Sequence, residues 1–175
     1  MAEAQTPLKV TDLSRWQSQI TGMTPMTGTQ PALDALLRDL NSALRRGQPD
    51  TACELVQLIA DHFHRFCALK AFPAANAQVG RLFANYIAMY WGGPILIFRR
   101  QDQAELARGF KDVIAMRLYV ADKLREAVYD SEGNLVLRTK SYGATNSYQT
   151  PGGKRLLVEW HALLDACKNW RAGMG

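Results

Sequence analysis

Cysteine is scarce in this 175-residue chain, with three residues, Cys53, Cys67 and Cys167. They are odd in number and far apart, which excludes a disulfide framework and a Cys-x-x-Cys metal pair. Buried thiols in a reducing cytoplasm are the expectation. Long apolar runs are missing too. No stretch approaches the ~20 residues that a membrane-crossing helix needs. The N-terminal segment has no basic region leading into an apolar one, so no signal peptide is expected. No Gly-x-Ser-x-Gly, Walker A or His-Glu-x-x-His pattern occurs. The net charge of +5 is spread thinly, and the clusters Arg99-Arg100 and Lys154-Arg155 are only pairs. Nucleic-acid binding calls for clustered cations with interleaved aromatics, so the charge balance argues against a nucleic-acid partner.

What is present is apolar patterning. Hydrophobic residues make up 47% of the chain, enough for a real core, and the length suits a single domain over residues 1–175. The first ten residues read as loose. A short amphipathic segment spans 13–20, and 21–30 is rich in Thr, Gly, Met and Pro and reads as loop. Residues 32–46 form the clearest helix, with Leu33, Leu36, Leu37, Leu40 and Leu44 on one face, Pro31 at the first turn and Gly47 at the stop. A second helix starts near 50–51, where Thr51 and Glu54 have capping-box spacing, and runs to about Leu69. Pro73 sits in a break, and a third helix spans about 76–90 before Gly92, Gly93 and Pro94.

Residues 95–98 are a short apolar run, extended or in a buried turn. Asp102 with Glu105 marks the next helix start. That helix carries Leu106, Phe110, Val113 and Ile114, and continues with a bend to Val128. Beyond it the period changes. Residues 127–129 and 134–139 flank Asp130-Ser131-Glu132-Gly133 and read as a β-hairpin. A last helix, 154–170, carries Leu156, Leu157, Trp160, Leu163, Leu164 and Cys167.

One stretch carries more than patterning. Lys70-Ala71-Phe72-Pro73-Ala74-Ala75-Asn76-Ala77-Gln78-Val79-Gly80-Arg81 lies between two helices, is preceded by His62-x-x-x-Phe66 and is followed by Gly93-Pro94-Ile95. It resembles the Fic/Doc (Fido) family, whose motif is His-Pro-Phe-x-(Asp/Glu)-Gly-Asn-Gly-(Arg/Lys)-x-x-Arg. Phe72, Asn76, Gly80, Arg81 and Leu82 stand at matching offsets, and the likeness covers residues 13–115. It implies a mainly α protein whose core is a Fic-like helical bundle; the small C-terminal β-hairpin and the final helix, read from the patterning and expected to pack on that core over 116–175, lie outside the likeness.

Family enzymes move AMP or another phosphate-containing group onto a protein hydroxyl. The resemblance places their general base at Lys70, an amine protonated at pH 7 unless desolvated. The magnesium-holding carboxylate falls at Ala74, which has no oxygen for a hard cation. The phosphate-wrapping glycines are Ala75 and Ala77, and the phosphate cation is Gln78. Four parts of one mechanism are therefore replaced, and transfer that depends on positioning and charge neutralisation is expected to be lost. The expectation is a catalytically inactive binder of a protein partner, with no cofactor, in the bacterial cytoplasm or delivered into another cell as an effector or a plasmid- or phage-encoded interference factor. The remnant of the anion or nucleotide site is Phe72, Asn76, Gln78, Gly80 and Arg81. The alternative is a divergent transferase using ATP or another nucleotide with magnesium, through Lys70, Asn76 and Arg81.

His62 and His64 lie two apart on a helix and point to different faces, so they cannot share an ion. The family's inhibitory pattern, [Ser/Thr]-x-x-x-Glu-[Gly/Asn], is not met, because Val128 stands four residues before Glu132. The partner-contact candidates are Met23 and Met26 in one loop and Tyr142 and Tyr148 in another, residue types suited to adaptable surfaces.

Overall fold

The computed structural model describes residues 6–23, 30–47, 49–90 and 95–128. These form six α-helices: α1 Val10–Thr21, α2 Pro31–Arg45, α3 Ala52–Leu69, α4 Asn76–Met89, α5 Gln103–Lys111 and α6 Val113–Val128. A 3-10 turn, Arg100–Asp102, precedes α5, and no strand occurs among the described residues. The protein is mainly α, as its periodicity predicts. The expected hairpin beyond Val128 and the helix over 154–170 lie outside the described residues.

α3 is the central helix, with α2, α4, α5 and α6 all packed on it, while α1 covers α4 and α2. The reason is written in its composition. Leu55, Val56, Ile59, Ala60, Phe63, Phe66 and Cys67 are all buried, a stripe wider than a surface helix needs. Its start is the expected capping box: the Thr51 hydroxyl accepts from the Glu54 N–H at 3.1 Å, and the Glu54 carboxylate accepts from the Thr51 N–H at 3.2 Å. α2 buries all five of its predicted leucines.

Polar contacts then tie three of the four neighbours to α3. Arg117 of α6 holds Asp61 with two hydrogen bonds, 2.8 and 2.7 Å. Arg65 pairs with Asp39 of α2 at 2.8 Å. His64 Nδ1 lies 2.8 Å from the Gly109 carbonyl of α5. Against α4 the contact is steric. A Cβ on Gly80 would sit 2.8 Å from Phe63 Cε2 and 3.0 Å from Cys67 Sγ, so only glycine lets α3 and α4 approach this closely.

Three expectations are corrected. The chain before α1 is not loose from residue 6 onward: Leu8 is buried, and the Asn41 amide bonds both its N–H (3.2 Å) and its carbonyl (2.9 Å). The bent helix expected from Asp102 to Val128 is two helices. Asp112 is extended (φ −136°, ψ 120°), and its carboxylate accepts from the Ile114 N–H at 3.0 Å, capping α6. Gly109 lets α5 fold back closely, since a Cβ there would lie 3.2 Å from the Met116 backbone. Ala127 and Val128, expected to open the hairpin's first strand, close α6 instead.

Residues 95–98 form no regular structure. Leu96 points inward, held by the Asn85 amide at both its N–H (2.7 Å) and its carbonyl (3.0 Å), while Ile95 and Ile97 are exposed. Asp102, expected as a helix start, does more. Its carboxylate accepts from the Arg99 N–H at 2.9 Å and ion-pairs with Lys123, a lysine only 3% exposed. Lys123 also reaches Glu126 at 3.3 Å and lies 5.5 Å from the Tyr119 ring centroid. This network clamps the turn before α5 onto α6.

Candidate functional site

The segment 70–81 folds as a helix, a tight loop and a helix. Lys70 ends α3 in the left-handed region (φ 47°, ψ 47°), and Ala75 opens α4 in the same region (φ 62°, ψ 22°). They are the two non-glycine residues with positive φ among those described. An L-residue held there costs about 1–2 kcal/mol, so the rest of the fold must enforce it. Ala75 is also where the family motif has glycine. Its backbone lies in the region that glycine favours.

Asn76 is what enforces it. From the first position of α4, its Oδ1 accepts from the Phe72 N–H at 2.9 Å and its Nδ2 donates to the Phe72 carbonyl at 2.6 Å. Phe72 is 4% exposed and packs on Phe66 with ring centroids 6.4 Å apart. The loop is pinned from a third side by Gln30, whose Nε2 donates to the Ala71 carbonyl at 2.7 Å. Replacing Asn76 by Ala removes both bonds to Phe72. The expected loss is about 1–2 kcal/mol, with faster amide exchange confined to residues 71–76. Denaturant melts with site-resolved exchange check it.

The other candidates are placed as follows. Lys70, Pro73, Ala74 and Gln78 are exposed around the loop. Ala74, which the resemblance aligns with the family's magnesium-holding carboxylate, presents an exposed methyl, which does not fit that ion. Among the described residues no group of three or more His, Cys, Asp and Glu could hold a metal. Gly80 is buried in the α3–α4 contact, below the loop. Arg81 is half-buried, and its Nε is buried with no hydrogen-bond partner among the described residues. Burial pushes the Cys67 thiol up to about 12, with the Arg81 charge pulling the other way. Burial and the Asp102 charge raise the Tyr119 phenol, again opposed by Arg81. The Arg81 charge therefore acts on side chains of both α3 and α6.

α4 has no side-chain cap, and its first intrahelical bond runs from the Val79 N–H to the Ala75 carbonyl at 2.9 Å. The N–H groups of Asn76, Ala77 and Gln78 thus lack intrahelical acceptors at the positive end of the helix dipole. Met23 is 49% exposed and follows Gly22, which ends α1 in the left-handed region. Met26, Tyr142 and Tyr148 lie outside the described residues. His62 and His64 do face different neighbours. His62 Nδ1 lies 2.8 Å from the Leu58 carbonyl, and His64 Nδ1 meets Gly109 across the bundle.

Sequence reasoning missed Gln30 and Lys123. Lys123 had a signal: it interrupts the apolar series Met116, Tyr119, Val120, Leu124 and Ala127, all buried on one face of α6. Gln30 had none, because its contact is 41 residues away in the chain. No helix among the described residues is long and apolar enough to cross a membrane. Comparison with known proteins gives no match: no family model matches the chain, and neither a curated protein nor a solved structure matches it significantly.

Proposed function

We propose that residues 70–81 are a Fic-like loop that has kept its shape and lost its chemistry, and that the protein acts by binding a protein partner, inhibiting or modulating it. The observation that carries this reading is the pair of left-handed residues, Lys70 and Ala75, held by Asn76 around a loop with no motif base or metal ligand. Strained backbone persists where something selects for it, and packing alone is served by an unstrained turn. The partner surface includes Met23 and, in the other candidate segments, Met26, Tyr142 and Tyr148. The setting that fits is the bacterial cytoplasm or a recipient cell, with no cofactor.

A second reading, a divergent transferase using ATP or another nucleotide with magnesium, is favoured by Arg81 and the uncapped start of α4. Both are features that can receive an anion.

A thermal-shift comparison separates the two. The wild type and a restored variant (Lys70→His, Ala74→Glu, Ala75→Gly, Ala77→Gly, Gln78→Arg) are melted with magnesium and ATP, GTP, CTP, UTP or CDP-choline. Saturation at 100 times Kd adds about 2.7 kcal/mol, a rise of roughly 5–10 °C at this size. The expected result is a flat wild type and a shifted restored variant. A wild-type shift abolished by Arg81→Ala establishes the transferase reading instead. No shift in either protein defeats the Fic-like reading of the loop.

A further inference from the structure

The helix before the loop holds a titratable group that the proposed function does not use. His62 is 9% exposed and lies one turn before Arg65, the residue of α3 that pairs with Asp39 of α2. With Nδ1 donating to the Leu58 carbonyl at 2.8 Å, Nε2 is the unprotonated nitrogen, and it is buried with no hydrogen-bond partner among the described residues. A proton added there creates a buried N–H donor and a buried charge together.

The charged groups facing the ring cannot absorb that charge cheaply. Asp39 of α2 is engaged by Arg65 at 2.8 Å. Asp61, the neighbour on α3, is engaged by Arg117 of α6 through both carboxylate oxygens. Arg65 itself repels a charged ring. Burial, the largest influence, holds the imidazole below the ordinary histidine value, and the Leu58 carbonyl, Asp61 and Asp39 do not reverse it. The neutral ring is the form that the folded seam accepts.

The same seam leads to the loop. α2 begins at Pro31, and Gln30 immediately before it grips the Ala71 carbonyl. We infer that His62 is an acid-sensitive latch on the α2–α3 seam: protonating its buried ring loosens α2 and, through Gln30, releases the Ala71 side of the 70–75 loop. The direction follows from linkage. The unfolded chain takes up the proton near pH 6.5 and the folded seam resists it, so the seam weakens as pH falls below 6.5 and is fully held above it. This inference stands on the seam geometry and not on what the loop binds.

The test uses the intact chain. An NMR titration of the wild type is expected to give a His62 midpoint below 6.5, with the Ala71 and Phe72 amides moving along the same curve. Hydrogen exchange at pH 7.5 and 5.0, corrected for intrinsic rates, is expected to speed up severalfold in α2 and residues 70–72 at the lower pH, while α5 and α6 change less. His62→Gln should remove that difference and His64→Gln should keep it. A His62 midpoint at or above 6.5 overturns the latch. So does unchanged α2 exchange, or acid loosening that survives in His62→Gln. The wild-type titration decides the question even if His62→Gln fails to fold.

Discussion

Phe63→Ala is expected to cost about 3–5 kcal/mol, lowering Tm by roughly 6–20 °C in a chain of this size. Phe63 has no exposed surface and stands where four parts of the fold meet. Its ring lies edge-on to Phe98 at 5.8 Å, in the segment after α4, and to Phe110 of α5 at 6.2 Å. On a third side it fills the space that Gly80 of α4 leaves open. Truncation therefore removes the transfer free energy of a large ring and leaves a cavity whose walls are three separate elements. Collapse of any one wall would pull it off the central helix, so little relaxation is available. Against a typical total of about 5–15 kcal/mol this is a large fraction. Chemical denaturation of the two proteins measures it. A loss under about 1 kcal/mol would mean that Phe63 is not at the junction, since truncations at surface positions fall in that range.

Lys123→Ala should be nearly as damaging, for a different reason. Breaking a buried pair by removing one partner costs about 3–5 kcal/mol, because the other charge is left in a poor solvent. Here Asp102 is left, and Glu126 loses one of its cations while keeping Arg99 at 2.9 Å. In the wild type, burial by itself raises the Asp102 carboxyl. The Lys123 ammonium and the Arg99 N–H more than reverse this and hold it below its ordinary value. The sign of the pH effect follows. The wild-type contribution is present above about pH 4 and is lost as pH falls below it. In Lys123→Ala the burial effect loses its main opponent, so Asp102 protonates at higher pH and sheds the cost. The stability gap between the two proteins should narrow as pH drops from 7 toward 4. A gap independent of pH would assign the loss to packing of the lysine stem. Combining Lys123→Met with Asp102→Asn should cost less than the sum of the single changes, by about 0.5–3 kcal/mol, as coupled neighbours do.

Much of the candidate site could be read before the fold was known. The break between two helices at 70–75 follows from Pro73 and the end of the apolar series, and Asn76 stands at its far end. It orients the loop, through both ends of its amide. Its pattern is repeated: Asn41 holds Leu8 and Asn85 holds Leu96 in the same two-bond way. In each case a side-chain amide gives an irregular segment the backbone partners that a strand would have supplied, and the residue it holds is a buried apolar one. Asparagine spacing alone does not reveal this, because the partners lie 4, 11 and 33 residues away in the three cases.

The features legible in the chain are therefore those that short-range physics controls. The leucine stripe of α2, the Thr51–Glu54 box and the glycine that follows α2 depend on residues within a turn or two of one another. The identity of the residues at the loop, Lys70, Ala74 and Gln78 among them, is likewise a property of the chain alone. Only the tertiary structure decided which helices meet and what happens where they do. Gln30 and Ala71 are 41 residues apart, Arg117 and Asp61 are 56 apart, and Gly80 matters because Phe63 lies across from it. The corner at Asp112 belongs to the same class: a helix-compatible sequence breaks there because Gly109 lets α5 pack back on α6 and the Asp112 carboxylate caps the new start. Local preferences of a few tenths of a kcal/mol per residue favour continuing that helix, and burying an apolar face against α3 outweighs them.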